Sequence, residues 1–119
     1  MSYVDGFIVP VPKKKVGAYR SMAKKASKVW MDHGALEFRE TVADDVKKGK
    51  WTSFPRSVKL KSSETVIFSY IVYKSRKDRD RCLAKVMKDK RLEKMMNPKA
   101  MPFDARRMIY GGFKTIVQA

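Results

Sequence analysis

The chain has 119 residues, 28 Lys or Arg against 12 Asp or Glu, and a formal net charge of +16. One cysteine, Cys82, and one histidine, His33, exclude an intrachain disulfide and any zinc or iron–sulfur site built on cysteines. An apolar content of 44% with 11% aromatics excludes a disordered chain and is expected to build one domain over residues 1–119.

Residues 3–11, YVDGFIVPV, alternate and are β-rich, which predicts a first strand closed by Pro12; Pro10 suits a strand end or edge. From Lys13 to His33, apolar residues at Val16, Tyr19, Met22, Ala23, Ala26, Val29 and Trp30 follow a helical period, and Gly34 stands where a helix stops. Residues 35–43, ALEFRETVA, alternate again and predict a second strand. A polar connection follows, and then an irregular stretch, Trp51 to Lys61, whose Trp51 and Phe54 are expected to pack on something. Residues 64–73, ETVIFSYIVY, are apolar on both parities, as a strand buried on both faces would be. Ser75 can cap a second helix over 76–96, which Asn97-Pro98 ends. After a loop, KAMPFD, residues 106–117 predict a fourth strand. Gly111-Gly112 at its centre suggests a bulge or a close approach by another backbone or a ligand.

The order β-α-β-β-α-β is that of the ferredoxin-like α+β fold, an antiparallel sheet with both helices on one face and strand order 4-1-3-2. Two helices cover one face, yet strands 1, 3 and 4 carry apolar residues on both. A second copy of the sheet would cover the other face, giving a homodimeric α+β barrel with a natural pocket for a small molecule.

The stretches YVDGFIVPVP, HGAL, ADDV, ETVIFSYIVY, SRKDRDR and MPFDARRMIYGGF together resemble the YbaA-like family, small bacterial proteins classed as a domain of unknown function. The resemblance covers nearly the whole chain and is most specific at its MPFD–RMIYGGF ending. It implies a ferredoxin-like fold assembled as a dimeric α+β barrel and no established activity. The surrounding superfamily holds cofactor-independent monooxygenases, haem-degrading enzymes and barrels without known chemistry, among which fold does not choose.

Candidate catalytic residues are the carboxylates inside strands. Asp5 lies in an apolar strand, where an unpaired charge is very costly, and Glu40 shares parity with Leu36, Phe38 and Val42. His33, at the end of helix 1, is a candidate base, or a partner of the last helical carbonyls. Candidate ligand-binding residues are Arg56 and Arg107 for their planar forks, Tyr70 and Tyr110 as aromatic walls with a hydroxyl, and Gly111 and Gly112 for close approach. An internal pair between Arg107 and Asp104 is the structural alternative. Cys82 and the helical methionines Met22, Met87, Met95 and Met96 are expected in the core. No metal or cofactor is expected, and the glycines form neither a dinucleotide nor a Walker pattern.

The basic residues concentrate in the two helices, where they read as solvated faces more than as a nucleic-acid reading head. Nucleic-acid binding through those faces, and a non-enzymatic protein-interaction dimer, stand as alternatives to small-molecule binding. The N-terminus is strand-like before it is basic, the reverse of a secretory signal, and no apolar run approaches the ~20 residues of a membrane span. A cytoplasmic protein without membrane contact is expected.

Overall fold

The computed structural model describes residues 1–119. Four strands form one antiparallel sheet: β1 (Tyr3–Pro12), β2 (Glu37–Val42), β3 (Glu64–Tyr73) and β4 (Ile109–Lys114), in spatial order β2-β3-β1-β4. That order is the predicted one read from the other edge. The helices are α1 (Val16–Asp32), α2 (Phe54–Ser57), α3 (Arg76–Met87) and α4 (Lys90–Met95). No helix is long and apolar enough to cross a membrane.

The register fixes which side chains share a face, because alternate residues of each strand point the same way. Val9, Val11, Ile67, Ile71 and Tyr73 face the helices and are buried against Tyr19, Ala23 and Val29 of α1, Cys82 and Val86 of α3, and Leu92 of α4. Cys82 is the small core residue expected, its thiol's pKa raised by burial. The opposite face carries Val4, Ile8, Phe68, Tyr70, Val72, Ile109 and Phe113. Its aromatics are open: Phe68 is 43% exposed and Phe113 63%. The polar segment after β2 laps one corner of this face, where Phe54 of α2 meets Phe68 edge-on at 5.8 Å.

Several sequence expectations need correction. The helix read over 76–96 is two helices. Asp89 interrupts it by accepting the backbone N–H of Arg91 as the N-cap of α4, while its carboxylate also holds His33 and the Arg91 side chain. The break turns α4 back towards α1. Met87, which ends α3, and Met96, which follows α4, are both expected in the core and are 60% and 53% exposed. The strand read over 35–43 spans 37–42, and the one read over 106–117 spans 109–114 behind a 3-10 turn at Ala105–Arg107. No bulge occurs at the double glycine: Gly111 opposes Gly6 and Gly112 opposes Asp5 in unbroken register. Pro10 falls beyond the last residue of β1 that β4 pairs, Ile8, so β1 is no longer central there. Gly34 does stop α1, with φ +112°.

Candidate functional site

One row of the sheet gives the site its floor. Phe7 of β1, Ser69 of β3 and Glu40 of β2 lie side by side on the helix-facing side. Val9, Ile71 and Phe38 extend that floor, and Met22, Ala26 and Trp30 of α1 roof it. The turned-back α4 adds Leu92, Met95 and Met96, and the following loop adds Met101 and Phe103, with Met108 beyond it. Together they line a half-open pocket of about 230 Å³. Five of the eight methionines line it: Met22, Met95, Met96, Met101 and Met108. Thioether side chains are flexible and polarisable, and adapt to varied apolar shapes.

Glu40 is the acid of this pocket. Its Oε2 accepts a hydrogen bond from the Tyr19 hydroxyl at 2.9 Å, and the Ser69 hydroxyl is a second donor. Burial pushes the Glu40 carboxyl above the ordinary carboxylate range against the pull of both hydroxyls. The Tyr19 phenol is pushed up in turn by burial and by the adjacent carboxylate, so it stays a proton donor. On the other side of this pair lies a second, wider hollow of about 560 Å³ between α1 and β2, edged by Arg20 and Lys24. Tyr19, Phe38 and Glu40 line both spaces, so the Tyr19–Glu40 pair stands at their junction.

The other candidates are dispersed. Asp5 shares the sheet face with Glu40, one row away. It is 5% exposed and fully partnered: Arg79 Nη1 reaches its Oδ1 at 3.0 Å and the Tyr73 hydroxyl bonds to it, while Trp30 Nε1 donates to the Tyr73 oxygen at 3.1 Å. Burial raises the Asp5 pKa, with Arg79 opposing. His33 caps α1 and meets Asp89 Oδ2 at 2.8 Å, away from the pocket lining. Arg56 donates to the carbonyls of Lys48 and Gly49, fastening its own loop. Arg107 pairs with buried Glu64 and not with Asp104, which Arg106 takes instead; it also donates to the carbonyls of Val58 and Lys59. The Arg107 guanidinium holds the Glu64 carboxyl below its usual range.

Tyr110 is 70% exposed and stacks on Phe7 at 6.4 Å, next to the pocket floor. Tyr70 and Gly111 are on the opposite face, where the Phe113 ring lies over Gly6 and Gly111. Gly112 makes room for Tyr3: a Cβ there would stand 2.4 Å from the Tyr3 hydroxyl. No three His, Cys, Asp or Glu side chains converge as metal ligands.

Tyr19 and Ser69 were not read as site residues. Their signals were a tyrosine on a buried helical stripe, whose hydroxyl needs a partner, and a serine inside the most apolar strand.

Against known proteins, the chain is 47% identical over 117 residues to the uncharacterized protein YbaA of Escherichia coli K12, covering 98% of each chain. The same identity and coverage hold for the uncharacterized protein YbaA of Shigella flexneri. Among solved structures, a de novo designed protein, Foldit4, is similar at a TM-score of 0.46 and 11% identity, covering 99% of this chain and 100% of its own. The model of the protein family of unknown function DUF1428 matches residues 2–105. The chain belongs to that YbaA-like family, as the motifs from YVDGFIVPVP to MPFDARRMIYGGF implied.

Proposed function

We propose that this protein binds a small organic molecule in the pocket between α1, α4 and the sheet, and that Glu40 exchanges a proton with it. The observation that supports this is the single desolvated carboxylate at the wall of an otherwise apolar, methionine-lined space. A carboxyl with a raised pKa, set between two hydroxyl donors, has the character of a general acid–base group. Between oxygenase-like and isomerase-like chemistry, these residues best supply an isomerase-like proton transfer. Glu40 takes a proton from one carbon of the bound molecule and returns it at another, with no net oxidation. Tyr19 steadies the carboxylate while it holds no proton.

The protein is further proposed to work as a homodimer through its open sheet face. The charged strand side chains on that face neutralise one another or are held: Glu37 pairs with Arg39 at 3.0 Å, and Glu64 is held by Arg107. The rest is apolar or hydroxyl-bearing, suited to a second copy of itself.

Native mass spectrometry of protein purified gently from its host tests both parts. The expected result is two chains carrying a discrete small-molecule mass, with that mass lost from Ala26→Phe, whose added ring occupies the pocket. A wild-type spectrum without bound mass, together with no change of Trp30 fluorescence in Trp51→Phe protein on adding small acids and alcohols, overturns the ligand reading. A single chain overturns the dimer.

A further inference from the structure

Two features of the hollow beside Glu40 have no use in proton exchange alone. Arg20 and Lys24, one helical turn apart on α1, both edge it. Both are exposed, and neither takes part in any ion pair of the molecule. Other basic side chains near the helix–sheet seam are spoken for: Arg79 by Asp5, Arg91 by Asp32 and Asp89, Arg107 by Glu64. The remaining wall of the hollow is apolar or hydroxyl-bearing, with Glu40 its sole acid. Glu40 is engaged by Tyr19 and Ser69 and has a raised pKa, so it is a poor counter-ion for the two cations.

The inner pocket is the reverse. Arg39 borders it by its backbone, because its side chain belongs to the opposite sheet face and pairs with Glu37. No cationic side chain therefore enters the methionine-lined space. The two spaces share Tyr19, Phe38 and Glu40 in their walls, so a ligand reaching from one into the other would pass the Tyr19–Glu40 pair, with cations at its outer end and apolar side chains at its inner end.

We infer that the ligand is an amphipathic monocarboxylate: its carboxylate lies between Arg20 and Lys24, and its apolar body passes Glu40 into the methionine pocket. An Arg fork accepts a planar carboxylate through two parallel hydrogen bonds, and an ammonium one turn away adds a second charge-assisted contact. This geometry also sets the carbons next to the carboxylate nearest Glu40. This inference rests on the pocket reading given above and adds the chemical class of the ligand to it.

The test uses the intact protein with its methionine methyls ¹³C-labelled, titrated with octanoate and, separately, with octan-1-ol. A linear chain can follow a bent path past Tyr19. Both probes are expected to shift the methyl signals of Met22, Met95, Met101 and Met108. Octanoate is expected to bind at least tenfold more tightly than the alcohol. In the double variant Arg20→Ala/Lys24→Ala that advantage is expected to disappear while alcohol binding stays unchanged. Both substitutions are on exposed positions, and an unchanged unliganded methyl spectrum certifies the fold. Equal affinities of the two probes in wild type, or an octanoate preference that survives the double variant, overturn the carboxylate class while leaving the pocket standing. Absence of any shift at the pocket methyls with either probe overturns the pocket reading as well.

Discussion

Glu40 and Asp5 are both carboxylates set into apolar strands, and the same sequence signal singled out both. Their surroundings separate them. Asp5 faces a guanidinium and a phenol, in an arrangement that locks β1 to α3. Glu40 faces hydroxyls alone and no cation balances it directly. Its carboxyl therefore binds a proton more readily in the folded chain than in the unfolded one. The sign follows by linkage: for such a group, stability rises as pH falls through the raised folded value towards the ordinary one. Glu40→Gln keeps an acceptor for Tyr19 and removes the buried charge. It is expected to raise Tm at neutral pH, and the gain over wild type is expected to shrink as the pH falls into the ordinary carboxylate range. Thermal unfolding of the pair across pH checks this. A variant less stable than wild type at neutral pH would mean that the charged hydrogen bond outweighs desolvation. The two adjacent glycines give a second contrast. Gly112→Ala drives a Cβ against the buried Tyr3 ring and its contact with Arg79, and overpacking of this kind costs about 1–3 kcal/mol. At Gly111 the new Cβ meets only the Phe113 ring at 3.7 Å, so Gly111→Ala is expected to be nearly neutral in chemical denaturation.

At the scale of elements, the strands were readable because their information is local. The parity of Tyr3, Phe7 and Val9 against Val4 and Ile8 is written in consecutive residues, and β3 spans the predicted 64–73. The break between α3 and α4 was not readable. The apolar spacing of Val86, Leu92 and Met95 runs through it and masks the local cap that Asp89 offers to the Arg91 N–H, while the one distant partner of Asp89, His33, meets it only in the fold. The Glu40 site was half readable for the same reason: the odd carboxylate is visible within its strand, but Tyr19 is 21 residues away and its pairing depends on how α1 crosses the sheet. For Arg107, a candidate ligand fork, the sequence offers the neighbouring Asp104 as the alternative partner, whereas the fold brings Glu64 to it across 43 residues. The Asp89 cap has a functional corollary, since α4 carries Leu92, Met95 and Met96 over the pocket. Asp89→Ala removes the cap and, with it, the contacts of that carboxylate to the His33 ring and the Arg91 guanidinium. It is expected to lower Tm and to speed amide exchange selectively in residues 90–95, leaving β1 and β3 protected. Uniform loss of protection across the sheet would show instead that α4 and the core open as one unit.

At the scale of the whole molecule, the charge and the open face bear on each other. Cations cluster on the helical layer, and exposed lysines such as Lys14, Lys25, Lys77 and Lys85 have no acidic partner there. A net charge of +16 on one small chain repels itself in the folded state more than in the expanded one, and two such chains repel each other. The apolar sheet face is the opposite surface, so a dimer formed through it holds the two cationic layers outermost and as far apart as the fold permits. Screening then acts on folding and association in the same direction, because the Debye length shrinks to about 10 Å at 0.1 M salt. Raising sodium chloride from low ionic strength is expected to raise Tm and to shift sedimentation equilibrium towards the dimer, while any adhesion to polyanions weakens. Val72→Lys, placing a charge in the middle of the apolar face beside Val4 and Glu37, is expected to give a monomer at every salt concentration with its own sheet intact. A wild-type dimer that dissociates as salt is added would assign association to charged groups and remove the sheet face as its cause.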